Sequence, residues 1–140
     1  MINCTRILEF DAGHRLIRHE GKCRFLHGHR YKMEISFCVA DKLDDIGRVI
    51  DFGVIKQILG TWIDENLDHT TILHEDDRKL GDFVENHTKQ KIYYMKENPT
   101  AENIASHIFN DIVPILFHNK GIICTRIKLH ETPNCSVCVD

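Results

Sequence analysis

The amino-acid sequence predicts an α+β fold in which an antiparallel sheet packs against two helices. The first observation is a clean alternation from His27 to Val39, where every second side chain is apolar or a histidine. Such a period is typical of a strand with one buried and one solvated face. The second is helical spacing of apolar residues in segments 54–67 and 104–116. The third is a set of hairpin-like turns between the remaining apolar runs, which favours antiparallel pairing.

The first half of the chain is expected to hold three strands and one helix. Residues 2–10 are rich in Ile, Thr, Leu and Phe and predict a strand, the alternating segment predicts the second, and residues 48–52 predict a short third. Asp51 is a candidate N-cap of the helix that follows. Segment 68–90 is polar and shows no clear periodicity, so it is expected to be irregular.

The second half is expected to hold one helix and three strands. Residues 91–95 predict a strand, and Thr100 is a candidate N-cap of the second helix. Pro114 is expected to kink that helix near its end, because proline lacks a backbone N–H. Residues 122–131 and 135–139 predict the last two strands, so the predicted order is β-β-β-α-β-α-β-β.

Length and composition describe an ordinary globular domain. The chain has 140 residues, without repeat or linker, and we expect a single domain over residues 1–140. A net charge of -3, with scattered Lys and Arg, argues against nucleic acid as a partner. No apolar run is long enough for a membrane span, and the early charges are unlike a secretory signal, so a cytoplasmic location is expected. The six cysteines are then expected to be reduced, with Cys135 and Cys138 in the terminal strand.

Two histidines, His27 and His29, head the apolar face of the second predicted strand. Side chains at this spacing leave a strand on the same face, about 6–7 Å apart, which suits two ligands of one zinc ion. An isolated pair is more often merely hydrogen-bonded or exposed, so a third ligand decides between the interpretations. His14 is the natural candidate. Three histidines without a fourth protein ligand leave an open position, which is typical of a catalytic zinc site.

Two further motifs are compatible with catalysis but are ambiguous when taken alone. Cys23 lies four residues before His27. It is either a thiolate whose pKa is lowered by nearby cations or a small buried hydrophobic residue. Asp68 and His69 form an adjacent carboxylate–imidazole pair, which suits an oriented general acid/base. The alternative is a helix-end cap beside a solvated histidine.

Glu131 follows Ile127 and Leu129 with a period of two, so its carboxylate is expected on the apolar face of its strand. A buried carboxylate needs hydrogen-bond donors. It could accept two N–H groups from a planar amide-and-amine edge of a ligand, or it could pair with an internal lysine or arginine. Both interpretations remain open at this point.

Taken together, these residues resemble the 6-pyruvoyl-tetrahydropterin synthase / 6-carboxy-tetrahydropterin synthase family. The resemblance runs in the family's order from residue 7 to about 132. The sequence departs from the family pattern after Asp68-His69, at Ala101 and in the long polar segment 74–90. The matching motifs are His14, Cys23-x-x-x-His27-Gly-His29, GRVIDFGVIK, Asp68-His69, Pro99-Thr100-Ala101-Glu102-Asn103 and Glu131-Thr132.

The resemblance implies a tunnelling fold with a four-stranded antiparallel sheet and two helices on one face. Three such sheets would join into a barrel, and two trimers would stack into a homo-hexamer with active sites at subunit contacts. It also implies a Zn²⁺ cofactor held by His14, His27 and His29. Glu131 matches the residue that anchors the pterin ring and joins the proton relay, and Thr100 matches a pterin-contacting position.

The resemblance further implies catalysis on a pterin triphosphate. Cys23 matches the catalytic thiol, and Asp68 and His69 match its acid/base partners. The substrate would be 7,8-dihydroneopterin triphosphate, with zinc polarising its side-chain hydroxyls. Three cations near the zinc motif are candidates for holding the triphosphate: Arg15, Arg18 and Arg24.

The product depends on the branch of the family. In the carboxy-forming branch, three residues separate the cysteine from the H-G-H motif, as they separate Cys23 from His27 here. The resemblance therefore favours 6-carboxy-5,6,7,8-tetrahydropterin, with release of acetaldehyde and triphosphate, for queuosine-type deazapurine synthesis. The first alternative is a 6-pyruvoyl-tetrahydropterin synthase. The second, of another class, is a non-catalytic pterin- or metal-binding module.

Overall fold

A single six-stranded sheet organises the molecule. The computed structural model describes residues 1–140, and the strands lie in the order β4-β3-β1-β2-β5-β6. β1 and β2 pair antiparallel along their whole length, which sets His14 opposite His27. The strand bounds are Cys4–His14 (β1), His27–Val39 (β2), Thr70–His74 (β3), Ile92–Met95 (β4), Ile122–Thr132 (β5) and Cys135–Val139 (β6).

The sheet is mixed, which corrects the expectation of four antiparallel strands. β2–β5 and β5–β6 are antiparallel, but β3 runs parallel to β1, and β4 runs parallel to β3. All five residues of β3 are buried. A strand covered on both faces shows no alternation, so segment 68–90 carried no strand signal.

Three helices accompany the sheet. The first, α1, covers residues 52–66 and includes a π-turn at Lys56–Gly60. The second, α2, is Arg78–Thr88, a helix that the sequence did not predict. The third, α3, covers residues 101–116. No helix of the structure is long and apolar enough to cross a membrane.

The predicted helix starts are confirmed. Asp51 Oδ1 accepts a hydrogen bond from Gly53 N at 2.7 Å, and Thr100 Oγ1 accepts one from Asn103 N at 3.1 Å. The short strand expected at 48–52 is absent. Pro114 was expected to kink α3 near its end; the helix makes a π-turn at Ile108–Ile112, just ahead of the proline.

The main core lies between α1, α3 and one face of the sheet. It contains 21 buried residues, among them the inward side chains of β1 and β2. Phe10 and Tyr31 stack there with ring centroids 5.0 Å apart. The alternation read from β2 is therefore confirmed. The three histidines continue the same face beyond the end of this core.

The helix α2 covers the opposite face of the sheet. Strand register places Leu73 next to Tyr94, pointing away from the main core, and Leu73 is fully buried. Gly81 of α2 approaches the Tyr94 hydroxyl so closely that a side chain there would collide with it. Arg78 also stacks over the Tyr94 ring at 3.9 Å. Helices thus lie on both faces of the sheet, not on one.

Candidate active site

Three histidine side chains converge at the end of the β1–β2 pair. Their candidate ligand atoms all lie within 4.8 Å of one another, and their ring centroids are 4.6–5.0 Å apart. His14 is fully buried, whereas His27 and His29 are partly exposed. The antiparallel register brings together residues that are distant in sequence. It confirms that His14 joins the H-x-H pair in one cluster.

Backbone carbonyls fix the tautomers of two of these rings. His14 Nδ1 donates to Pro99 O at 2.8 Å, and His27 Nδ1 donates to Phe25 O at 2.7 Å. A carbonyl oxygen can only accept, so both protons lie on Nδ1 when the rings are neutral. The two Nε2 atoms are 3.1 Å apart and both present lone pairs. Two lone pairs at this distance repel each other unless a cation lies between them.

The electrostatics of the cluster favour neutral rings. Burial lowers the pKa of His14 to about 4, against the opposing effect of its hydrogen bond to Pro99. Burial also lowers the pKa of His29, which the charge of Glu131 partly offsets. Neutral imidazoles are the form that binds zinc. His29 Nε2 is moreover buried without any hydrogen-bond partner, so the donor set fits a metal ion.

Glu131 lies beside this cluster. Its Oε1 is 3.6 Å from His29 Nε2, and its side chain is 24% exposed. The neighbouring Ile127 and Leu129 are fully buried, so the predicted apolar-face position is confirmed. No lysine or arginine pairs with this carboxylate. It is therefore placed to accept hydrogen bonds from a bound molecule.

Tyr31 is a member of the site that the sequence analysis missed. Its hydroxyl is fully buried, 3.3 Å from His14 Nδ1. Burial, and after it the negative charges of Glu131 and Cys23, raises the pKa of Tyr31. The hydroxyl therefore stays protonated in the middle of the site. On sequence alone Tyr31 looked like one more apolar residue of an alternating strand.

Cys23 lies in a short 3₁₀ turn, Lys22–Arg24, within the loop between β1 and β2. Its carbonyl accepts a hydrogen bond from Leu16 N at 2.9 Å, which ties the loop back toward the end of β1. The side chain is half-buried. The loop leads directly into β2, whose first residue is His27.

Asp68 and His69 contact each other directly. His69 Nδ1 donates to Asp68 Oδ2 at 2.8 Å, and Asp68 Oδ1 accepts from Asp11 N at 2.9 Å. Burial raises the pKa of Asp68, but the hydrogen bonds from Asp11 and His69 outweigh it and hold that pKa below its usual range. The carboxylate in turn raises the pKa of His69. The geometry is that of an oriented acid/base pair, with Nε2 left free.

This pair makes no hydrogen bond or ion pair to the three histidines within one chain. His69 is 77% exposed and lines a cavity of about 390 Å³ with Asp11, Gly13, Gly28 and Arg30, and His29 of the cluster borders the same cavity. Alternation along β1 and β2 sets those four residues on the face opposite the histidine cluster. Within one chain, therefore, most of the cavity beside His69 faces away from the histidine cluster, although His29 reaches its border.

The Asp68→Asn variant tests the electrostatic link in this pair. A neutral amide weakens the hydrogen bond to His69 Nδ1 and removes the charge of Asp68, the two largest causes of the raised His69 pKa, so the His69 titration midpoint should move to lower pH. The measurement is an NMR titration of the His69 ring protons in both proteins. His118, which is exposed and distant in sequence, serves as the internal reference. An unchanged His69 midpoint would contradict the pairing.

Comparison with known proteins places the chain in a family. The model of the family described as 6-pyruvoyl tetrahydropterin synthase matches residues 3–140. The chain belongs to the 6-pyruvoyl tetrahydropterin synthase family. The resemblance read from the motifs is thereby confirmed over almost the whole chain.

Named relatives agree with this assignment, and one solved structure agrees with the fold. A Rickettsia conorii protein named 6-carboxy-5,6,7,8-tetrahydropterin synthase is 59% identical, covering 98% of this chain and 99% of its own. A Rickettsia felis protein of the same name is 58% identical with the same coverage. The structure of Caenorhabditis elegans 6-pyruvoyl tetrahydropterin synthase superposes with a TM-score of 0.68 at 20% identity. That match covers 99% of this chain and 94% of the other, and it supports the fold alone.

The residues of the family motif Pro99-Thr100 support the histidine cluster in this member. Pro99 O accepts the His14 hydrogen bond, and the Asn98 side chain bonds both to Ile17 N at 3.0 Å and to Ile17 O at 2.9 Å. The start of α3 is thus tied to the chain just after β1. Thr100 caps α3 at this junction. The sequence identified Thr100 but not the role of the Pro99 carbonyl.

Of the three arginines proposed to bind the triphosphate, Arg15 already forms an ion pair with Asp77. It donates from Nε to Asp77 Oδ2 at 2.6 Å and from Nη2 to Asp77 Oδ1 at 2.7 Å. Asp77 is only 5% exposed, so this bidentate pair holds the start of α2 against the end of β1. Arg24 lies over the Phe25 ring at 4.5 Å in the Cys23 loop. Arg15 is therefore a poor candidate for a phosphate ligand in this family member.

Proposed function

We propose that this chain is a zinc-dependent 6-carboxy-5,6,7,8-tetrahydropterin synthase. The observation that carries the proposal is the near-full-length identity to relatives of that name, 58–59% in two Rickettsia proteins. The three-residue gap between Cys23 and His27 agrees with this branch. The reaction would convert 7,8-dihydroneopterin triphosphate and water to 6-carboxy-5,6,7,8-tetrahydropterin, acetaldehyde and triphosphate. Its product would serve queuosine-type deazapurine synthesis.

The histidine cluster would hold the zinc ion. His14, His27 and His29 supply three neutral imidazoles, two of them with Nε2 lone pairs fixed by backbone hydrogen bonds. A bound zinc ion would act as a Lewis acid toward the side-chain oxygens of the substrate. The ring orientations are set in advance, so little reorganisation accompanies metal binding.

Glu131 would bind the pterin ring. A carboxylate can accept two parallel N–H donors, and the 2-amino and ring N–H groups of a pterin form such an edge. The neighbouring Tyr31 hydroxyl is buried and neutral, so it adds no competing charge. Thr100, at the start of α3, would contact the pterin from the side of Pro99.

Cys23 and the Asp68–His69 pair would move protons at the substrate side chain. The thiol lies in the short 3₁₀ turn of the loop that leads from β1 into His27. His69 has its Nδ1 proton held by Asp68, so its Nε2 is the atom that accepts or gives a proton. Together they would supply a base and an acid on the two sides of the reacting carbons.

The proposed assembly is a homo-hexamer built from two barrel-forming trimers. It is supported by the placement of His69 on the face opposite the histidine cluster, because a neighbouring copy could bring the missing half. The chain also has unpaired strand edges, since β1 pairs with β3 only over residues 12–14. Each chain would contribute one domain, residues 1–140. A cytoplasmic, reducing location would suit a catalytic Cys23.

Product analysis tests the proposal. Purified zinc-loaded protein, incubated with 7,8-dihydroneopterin triphosphate, should release acetaldehyde and triphosphate in equal amounts and form the carboxy pterin by mass spectrometry. Triphosphate without acetaldehyde would identify the pyruvoyl-forming alternative. Binding of the pterin without any turnover would favour the non-catalytic module instead.

A further inference from the structure

His69 has a backbone conformation that needs support. Its φ is +57°, in the left-handed region, where a non-glycine residue is strained. This twist lets two adjacent side chains, Asp68 and His69, turn toward each other. Strained conformations persist only where the surrounding contacts hold them. The groups that hold His69 therefore control where its imidazole points.

Two hydrogen bonds hold the His69 backbone from opposite sides. On one side, His69 N donates to Asp11 O at 2.7 Å, within β1. On the other, Gln90 Nε2 donates to His69 O at 3.2 Å. The Gln90 amide is itself oriented, because its Oε1 accepts from Thr71 Oγ1 at 2.5 Å. The Gln90 side chain thus bonds both to the strained residue His69 and to Thr71 of β3, the strand that follows it.

The helix α2 delivers Gln90 to this position. α2 ends in a left-handed turn at Lys89, and Gln90 N donates to Thr88 Oγ1 at 3.1 Å. The next residue, Lys91, donates from Nζ to Glu65 O at 2.6 Å, near the end of α1. The turn after α2 therefore makes hydrogen bonds to Glu65, before the Asp68–His69 pair, and to His69 itself. Much of the polar segment 74–90 is thus the helix α2, which ends just before these contacts.

We propose that Gln90 is a positioning residue for His69. It holds the left-handed backbone of His69 through the His69 carbonyl and so aims the imidazole Nε2 into the cavity lined by Gly13, Gly28 and Arg30. Its role in turnover rests on the proposed function, whereas its role in orienting the ring does not. Without the amide, the His69 peptide is free to leave the strained region, and the contact with Asp68 loosens.

The test compares Gln90→Met with Gln57→Met. Gln57 is exposed on α1 and makes no side-chain hydrogen bond, so it controls for the substitution itself. Gln90→Met should lower kcat about ten- to hundred-fold, the cost of a misplaced catalytic group, with KM nearly unchanged. Zinc content and thermal unfolding should match those of Gln57→Met. Thr71→Val, which removes the hydroxyl that orients the amide, should lower kcat in the same direction.

Two readouts separate positioning from a merely structural role. In the His69→Ala background, Gln90→Met should cause no further loss of kcat, since there is no ring left to aim. By NMR, the His69 titration midpoint should shift in Gln90→Met, because the ring moves relative to its charged neighbours, Asp68, Asp11 and Arg30. The NMR readout holds whichever pterin product the enzyme makes, and even if it makes none. An unshifted midpoint, or an equal loss of kcat in the His69→Ala background, would overturn the proposal.

Discussion

Replacing Cys23 with alanine is expected to abolish turnover while the protein keeps its fold and its zinc. The thiol is the only sulfur on the loop that closes the histidine side of the site, and no hydrogen bond of the fold depends on its side chain. Loss of a general acid/base group typically lowers the rate about 10²- to 10⁴-fold. Steady-state kinetics and metal analysis measure the two quantities on the same sample. Cys135→Ala, in the exposed terminal strand, is the matched control and should be fully active.

The same variant also tests the shared active site. Cys23→Ala and His69→Ala are each expected to keep only a small residual activity alone, about 10²- to 10⁴-fold below that of the unaltered protein. If thiol and imidazole come from different copies, co-assembly of the two variants in equal amounts leaves about a quarter of the sites with both groups intact. Activity should then reappear at roughly that level. No recovery in a verified mixed assembly would mean that each site draws both groups from one chain. Equal loss of activity and zinc in Cys23→Ala would instead favour a structural metal site.

Replacing His14 with alanine is expected to have an effect of similar size through a different cause. His14 is the buried member of the cluster, and it faces His27 at 3.1 Å between Nε2 atoms. Without it, two partly exposed histidines remain, too few for a tight zinc site. Zinc should fall from one per chain to a small fraction, and activity should fall at least about a hundred-fold, the upper end of the cost of losing a group that merely supports a ligand. His118→Ala, on an exposed histidine, is the control and should keep both. Retention of stoichiometric zinc in His14→Ala would exclude His14 as a ligand.

Much of the antiparallel part of the sheet, β1, β2 and β5, could be predicted because apolar and polar residues alternate along these strands. The β2 strand buries alternate residues from Tyr31 to Phe37, so the face that carries His27 and His29 was visible in the sequence. His14 could be added because it lies shortly after the strand predicted over residues 2–10, ahead of the H-x-H pair. Glu131 followed from the same period-two argument on β5.

The parallel part of the sheet, β3 and β4, and the helix α2 that covers it could not be predicted from periodicity. β3 is covered on both faces, so its side chains show no alternation, and only five residues define it. Its parallel pairing with β1 depends on contacts remote in sequence. The helix α2 places Val84 inward but leaves Phe83 60% exposed, which blurs an amphipathic pattern. The resemblance likewise implied two helices on one face and did not include this third one.

The division of the site between two faces was also invisible in the sequence. In the sequence, Asp68 and His69 are simply two adjacent residues at the end of the predicted helix. The left-handed φ of His69 turns them together toward the solvated side of β1. That φ depends on Asp11 and Gln90, which are separated from His69 by many residues. Sequence motifs therefore predicted the candidate catalytic groups but not how one chain arranges them.

The central claim is that His14, His27 and His29 bind one zinc ion that keeps a position open for substrate. X-ray absorption spectroscopy of the zinc-loaded protein, together with metal analysis, tests it most directly. The account predicts one zinc per chain with three imidazole nitrogens near 2.0–2.1 Å and the remaining coordination by oxygen from solvent. A chain that binds no stoichiometric zinc, or a zinc ion with sulfur ligands or four protein ligands, would contradict it.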